Sequence, residues 1–290
     1  MSARVGLIVT GKCEHRGLAE SLQQIFPEAR FEALGRQPVD SFTSADVRQL
    51  PESPVPTTLQ KLAARIVAEV EPGRVDGPLD LVVAIDDLEL ANAPHPALVA
   101  ARVRDAVGAH LRSYRGTSDS AREKVLQRVR ERCSFHLLAP MIEAYLFAEP
   151  AALVRAGATR PSAVDASAID LEAFETDDPD YLRHPDVPHQ QSPERKSWAI
   201  PGRARHPKHY LRFLCDPNDP YTRRYTEAKT GAEALRQLAW GQVFSQQERV
   251  QLARALFEDL ALGLGVPHPF PGSAHPATAD FKSARVLRNL

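Results

Sequence analysis

Cysteine is scarce: Cys13, Cys133 and Cys215 are the three in 290 residues, and their spacing makes neither a metal-ligand set nor a disulfide framework. That excludes a disulfide-stapled secreted scaffold and points to a cytoplasmic chain with reduced thiols. Long apolar runs are missing too. No stretch of about eighteen apolar residues exists, which excludes a membrane-spanning helix and a membrane partner. The opening "MSARVGLIVTGK" passes straight into a strand-like run and lacks signal-peptide anatomy. Net charge is nearly absent at −1, so no global field draws the chain to nucleic acid or to an anionic membrane. Local patches can still do so. Several catalytic signatures are absent as well: no G-x-x-x-x-G-K-[ST] loop, no G-x-S-x-G elbow, no His-Glu-x-x-His helix and no zinc-finger spacing. Nucleotide and serine hydrolases lose their support.

What is present is a strand–helix alternation. "RVGLIVT" (4–10) is apolar on both faces, as a central parallel strand requires. A helical pattern with Leu18, Leu22 and Ile25 on one stripe follows, then a short strand at 29–34. After an irregular loop over 35–56, a helix is predicted at 57–70 and a strand within "LDLVVAIDDLEL" (79–90). Helices follow at 95–114 and 119–132, a strand at 134–140, and a helix that opens with Pro140 at its first position. This order predicts an α/β fold with a mostly parallel sheet flanked by helices over 1–150. Residues 151–205 read as an irregular charged connection with one weak helical patch near 167–175. Helices resume at 206–215, 230–239, 245–264 and 280–289, giving a mainly helical C-terminal region over 206–290, expected to pack on the first domain.

Charge is unevenly placed. Residues 165–186 carry eight acids against Arg183, while residues 195–229 carry nine bases against three acids. Two solvated loops explain this as well as a basic face for a polyanion does.

The acids Asp86, Asp87 and Glu89 close the third strand. Like charges so near each other cost free energy unless a cation or water screens them. In open parallel sheets ligands bind at the carboxyl ends of strands, so "VTGKCE" and "IDDLE" should share one rim. Alternation along the strand turns Asp87 and Glu89 one way and Asp86 the other, unless the chain turns first. Converging carboxylates make a hard-oxygen site for Mg²⁺ or Mn²⁺. A capping role or a strand running out into solvent explains the same acids. Glu143 falls in the first turn of its helix, a place that favours a carboxylate in any case. Lys208, flanked by His206 and His209, and Lys229 are candidate phosphate contacts.

"VGLIVTGKCE" (5–14) followed by a helix, and "LVVAIDDLE" (81–89), together resemble the TOPRIM arrangement of topoisomerases, primases and OLD-type nucleases. "MIEAYLFAEPAAL" (141–153), "HPKHYLRFL" (206–214) and "YTEAKTGAEALRQLAW" (225–240) follow in the order seen in a TOPRIM-like family related to RloB-type defence proteins. The resemblance spans most of the chain, and it implies a Mg²⁺-dependent nuclease in a prokaryotic defence setting. It assigns catalysis to Glu14, Asp87 and Glu89, metal binding to Glu14, Asp86, Asp87, Glu89 and Glu143, and phosphate contacts to Lys12, Lys208 and Lys229. The pattern's glutamate before the first-turn glycine is here Thr10, and Asp87-Leu88-Glu89 stands where it has Asp-x-Asp. The alternative is therefore a catalytically degenerate subunit that binds nucleic acid or a partner protein.

Overall fold

The computed structural model describes residues 2–70, 77–113, 118–184, 202–219, 222–281 and 285–290. Asp186, Arg195 and Lys196 of the charged segments lie outside them.

Four strands form the sheet: β1 (Ala3–Val9), β2 (Ala29–Ala33), β3 (Leu81–Asp87) and β4 (Cys133–Leu138). Their order is β2-β1-β3-β4, and every pairing is parallel. Each crossover between parallel strands carries a helix: α1 (Lys12–Ile25), α2 (Thr57–Ala68), and, after β3, α3 (Glu89–Asn92), α4 (Pro96–Arg112) and α5 (Asp119–Arg132). Beyond β4 come α6 (Glu143–Leu146), α7 (Pro150–Arg155), α8 (Pro179–Leu182) and α9 (Pro207–Cys215). A π-helical turn, Glu227–Gly231, leads into α10 (Ala232–Arg236), α11 (Trp240–Val243) and α12 (Gln251–Leu264). Among the described residues no helix is long and apolar enough to cross a membrane.

Both sheet faces are covered, which explains why the strands are apolar on both sides. Val5, Leu7, Val9, Leu81, Val83 and Ile85 point into one apolar cluster, shared with α1 and the C-terminal helices through Phe257. Ile8, Val82, Ala84, Phe135 and Leu137 point into the other, with α2 and α4. The two-residue period of a strand sorts the side chains between the layers. The C-terminal helices thus complete the core of one sheet face.

Two helix starts and one expected helix differ from the sequence pattern. α6 begins at Glu143 instead of Pro140, because the Pro140 carbonyl accepts the Glu89 N–H at 2.7 Å and is withdrawn from the helix. α12 begins at Gln251 instead of 245: Val250 is held at φ 57°, and its N–H is taken by Asp170. Glu172 then accepts the amides of Leu252 and Ala253, capping the helix. The terminal segment forms no helix where it is described, over 285–290. Asn289 instead bonds the N–H and C=O of Phe135, while the Arg288 amide bonds Cys133, so the tail covers the open edge of β4.

The acidic segment is also more than a solvated loop. Asp170 and Glu172 cap α12, while Asp178 caps α8 and accepts the Tyr210 hydroxyl at 2.8 Å. The weak helical patch near 167–175 is one 3-10 turn, Leu171–Ala173.

Candidate functional site

The carboxyl ends of β1, β3 and β4 open onto one cavity of about 160 Å³, lined in part by Glu14, Asp87, Glu89, Glu143, Glu227 and Lys208. Its other wall carries Thr10, Ser41 and Ser44. Elements far apart in sequence supply these groups.

Glu14 sits in the first turn of α1, where the exposed amides favour a carboxylate. Its carboxyl group lies directly against Gly11, and a β-carbon at position 11 would overlap it. Only glycine leaves that space. Burial, then the neighbouring Glu143 carboxylate, pushes Glu14 up to about 8. Asp87 opens onto the cavity and accepts the Ile142 amide at 3.0 Å. Burial, with Glu14, Glu143 and Glu89 close by, raises it well above the usual carboxylate range.

Glu89 follows the strand end in the left-handed region at φ 59°, a strained conformation for a residue with a β-carbon. The chain turns before Glu89, and this backbone kink turns its side chain back to the cavity. Burial raises Glu89 to about 7 against the pull of Lys208.

Glu143 is 1% exposed. Its Oε1 accepts the Tyr225 hydroxyl at 2.6 Å and lies 3.5 Å from Lys208 Nζ. Its Oε2 is buried and has no hydrogen-bond partner. Lys208 Nζ also lies 2.9 Å from Glu227 Oε1, and so bridges the two glutamates. Burial alone would lower the ammonium, but Glu143 and Glu227 outweigh it and hold Lys208 above its ordinary value.

Asp86 is not part of the cavity wall. As strand alternation predicts, it points away, where it accepts the Thr10 hydroxyl and, at 3.1 Å, the Thr43 hydroxyl. Burial still raises it to about 6, although Thr10, Ser41 and Thr43 favour its charge. Thr43 also donates to the Asp87 carbonyl at 2.6 Å, and the Asn92 amide pins the Thr43 and Ala45 carbonyls. Asp86 therefore anchors the loop that forms the hydroxyl wall, and its assignment as a metal ligand is replaced by that role.

Lys12 and Lys229 do not line the cavity. Both are exposed, on α1 and on the π-helical turn, two elements packed against each other. From that turn Glu227 faces the cavity, a residue that nothing in "YTEAKTG" marks as functional. His206 and His209 stack at 3.8 Å between ring centroids, and His206 Nδ1 accepts the His209 amide. Burial and the adjacent cations lower them to about 4 and about 3, so both stay neutral near pH 7. Cys13 is buried and its thiol is raised, first by burial and then by Glu14, which keeps it protonated and unreactive.

Among the described residues, no group of three or more His, Cys, Asp or Glu side chains is arranged so that it could hold a metal ion as it stands. The donor chemistry nevertheless fits a hard divalent ion: carboxylate oxygens, one of them buried without a partner, beside room for several waters. Comparison with protein-family models, with curated proteins and with solved structures finds no match for this chain.

Proposed function

We propose that this chain is a Mg²⁺- or Mn²⁺-dependent protein acting on phosphodiester bonds, a nuclease of the TOPRIM-like type, working in the cytoplasm. The observation that carries the reading is Oε2 of Glu143, buried without a partner in a cavity whose carboxylates repel one another. An uncompensated arrangement of this kind costs several kcal/mol as ions, and a bound cation reverses that sign.

Glu14, Asp87 and Glu143 would hold the ion, with Glu89 at the rim. The ion would polarise a phosphoryl oxygen and orient the attacking water. Glu89, raised to about 7, is suited to take or return a proton near neutral pH. Lys12 and Lys229, outside the cavity on two elements that pack together, would offer exposed charges to the backbone phosphates of a nucleic acid. A prokaryotic defence setting rests on the sequence resemblance alone.

The second reading, a non-catalytic subunit, is favoured by Thr10. Its hydroxyl is committed to Asp86, so no side chain of position 10 reaches the cavity as an acid. Such a subunit would bind nucleic acid or a partner through exposed Arg205, Arg223, Arg224 and Lys229. The test is cleavage of single- and double-stranded DNA and RNA oligonucleotides with Mg²⁺ or Mn²⁺. The nuclease reading expects cleavage that needs the ion and is lost in Glu14→Gln and Asp87→Asn. Binding without cleavage, weakened by added salt and by Arg223→Ala/Arg224→Ala, would establish the subunit reading instead.

A further inference from the structure

Lys208 occupies an unfavourable place for a cation. It is the second residue of α9, at the helix end whose free amides favour anions. Its side chain is only 25% exposed, so it has given up much of its hydration. Both costs are offset by two glutamates from other parts of the chain: Glu143 after β4 at 3.5 Å and Glu227 of the π-helical turn at 2.9 Å. Glu143 is held on one oxygen by Tyr225 and Lys208, while the other is buried and bare.

We propose that Lys208 is a built-in counter-ion for the acidic cavity, which a divalent cation must displace from Glu143 in order to bind. This inference rests on the cavity being a cation site. A single ammonium cannot satisfy the surrounding carboxylates, yet its charge raises the cost of bringing a second cation beside it. Glu227 is the retaining partner: it keeps the ammonium at the rim once Glu143 is taken over. There the freed charge faces the cavity mouth, where a phosphate would enter. Lys208 thereby sets the cation concentration at which the site fills, and it is a positioning residue for Glu143.

The test is calorimetric titration of Mn²⁺ into wild type, Lys208→Met and Lys208→Arg, at a pH of about 8.5, above the values of about 8 and about 7 to which Glu14 and Glu89 are raised. Lys208→Met is expected to bind Mn²⁺ about tenfold more tightly or better, because a repelling charge is gone. Lys208→Arg keeps the charge and should stay within about threefold of wild type. Thermal melts give a second readout: Mn²⁺ should raise Tm more for Lys208→Met than for wild type. Unchanged or weaker Mn²⁺ binding by a folded Lys208→Met would overturn the proposal and leave Lys208 a strut. So would a Lys208→Met protein that fails to fold even with Mn²⁺, since the ion should replace the missing charge. Absence of Mn²⁺ binding by all three proteins would instead remove the cation site itself.

Discussion

Thr10 gives its hydroxyl hydrogen to Oδ1 of Asp86, tying the end of β1 to the end of β3 beneath the acidic cavity. Position 10 is thus used for structure. Thr10→Val removes one donor from a buried carboxylate and should cost about 1–2 kcal/mol. That corresponds to a fall in Tm of about 2–8 °C, with Mn²⁺ affinity of the folded protein little changed. Thr10→Glu brings a further carboxylate towards Asp86 and Glu14. It should lower Tm more than Thr10→Val does and should not raise the rate of ion-dependent cleavage above that of the wild type, as melts and an oligonucleotide assay would show.

Gly11 is fixed by Glu14 rather than by a backbone angle, because the carboxyl group occupies the space of a β-carbon. Gly11→Ala should therefore push Glu14 off its position and weaken Mn²⁺ binding about tenfold or more, a loss of at least about 1.4 kcal/mol. Circular dichroism should show the fold retained. Unaltered Mn²⁺ affinity would separate Glu14 from the site.

The cavity makes stability depend on pH with a definite sign. Glu14 is raised to about 8 and Glu89 to about 7, so the folded state binds more protons than the unfolded chain between the ordinary carboxylate value and those figures. Their contribution to stability is present at low pH and is lost as pH rises through about 7 and 8. His206 and His209, lowered to about 4 and about 3, act oppositely: their contribution is present above 6.5 and is lost as pH falls below it. Above pH 6.5 only the carboxyl groups of this set still titrate. Metal-free protein should lose several degrees of Tm between pH values of about 6.5 and 8.5, and Mn²⁺ should restore them. Glu14→Gln should flatten that loss while abolishing the restoration.

Glu172 carries the helix that closes the core, since it accepts the amides of Leu252 and Ala253 and the Tyr145 hydroxyl. Glu172→Ala should cost about 2–3 kcal/mol, combining a lost cap with a stranded buried hydroxyl. Mn²⁺ affinity of the remaining folded protein should be unchanged. A melt with and without the ion separates the two effects.

Much of this was legible in the chain. Strands β1, β3 and β4 announce themselves because a sheet covered on both faces favours apolar residues on both sides of each strand. Glu14 and the Asp87-Glu89 pair could be placed at one rim because parallel strands end on the same side. Glu227 could not be singled out: it is an ordinary acid among basic neighbours until the π-helical turn brings it 2.9 Å from Lys208. The tail at 280–289 reads as helical by pattern, but over its described part, 285–290, the unpaired edge of β4 is a stronger claimant for its polar groups.

The sequence by itself determined the alternation of strands and helices, the parallel sheet, and the direction of Asp86 away from Asp87. These follow from periodicities of two and 3.6 residues, which are local. Only the tertiary structure decided that Glu143, Glu227 and Lys208 meet the strand-end acids. It also decided that Asp86 serves Thr10 and Thr43, and that one glutamate oxygen is buried without a partner. Contacts between distant segments are chosen by how whole faces pack, and no local pattern of residue types records that choice.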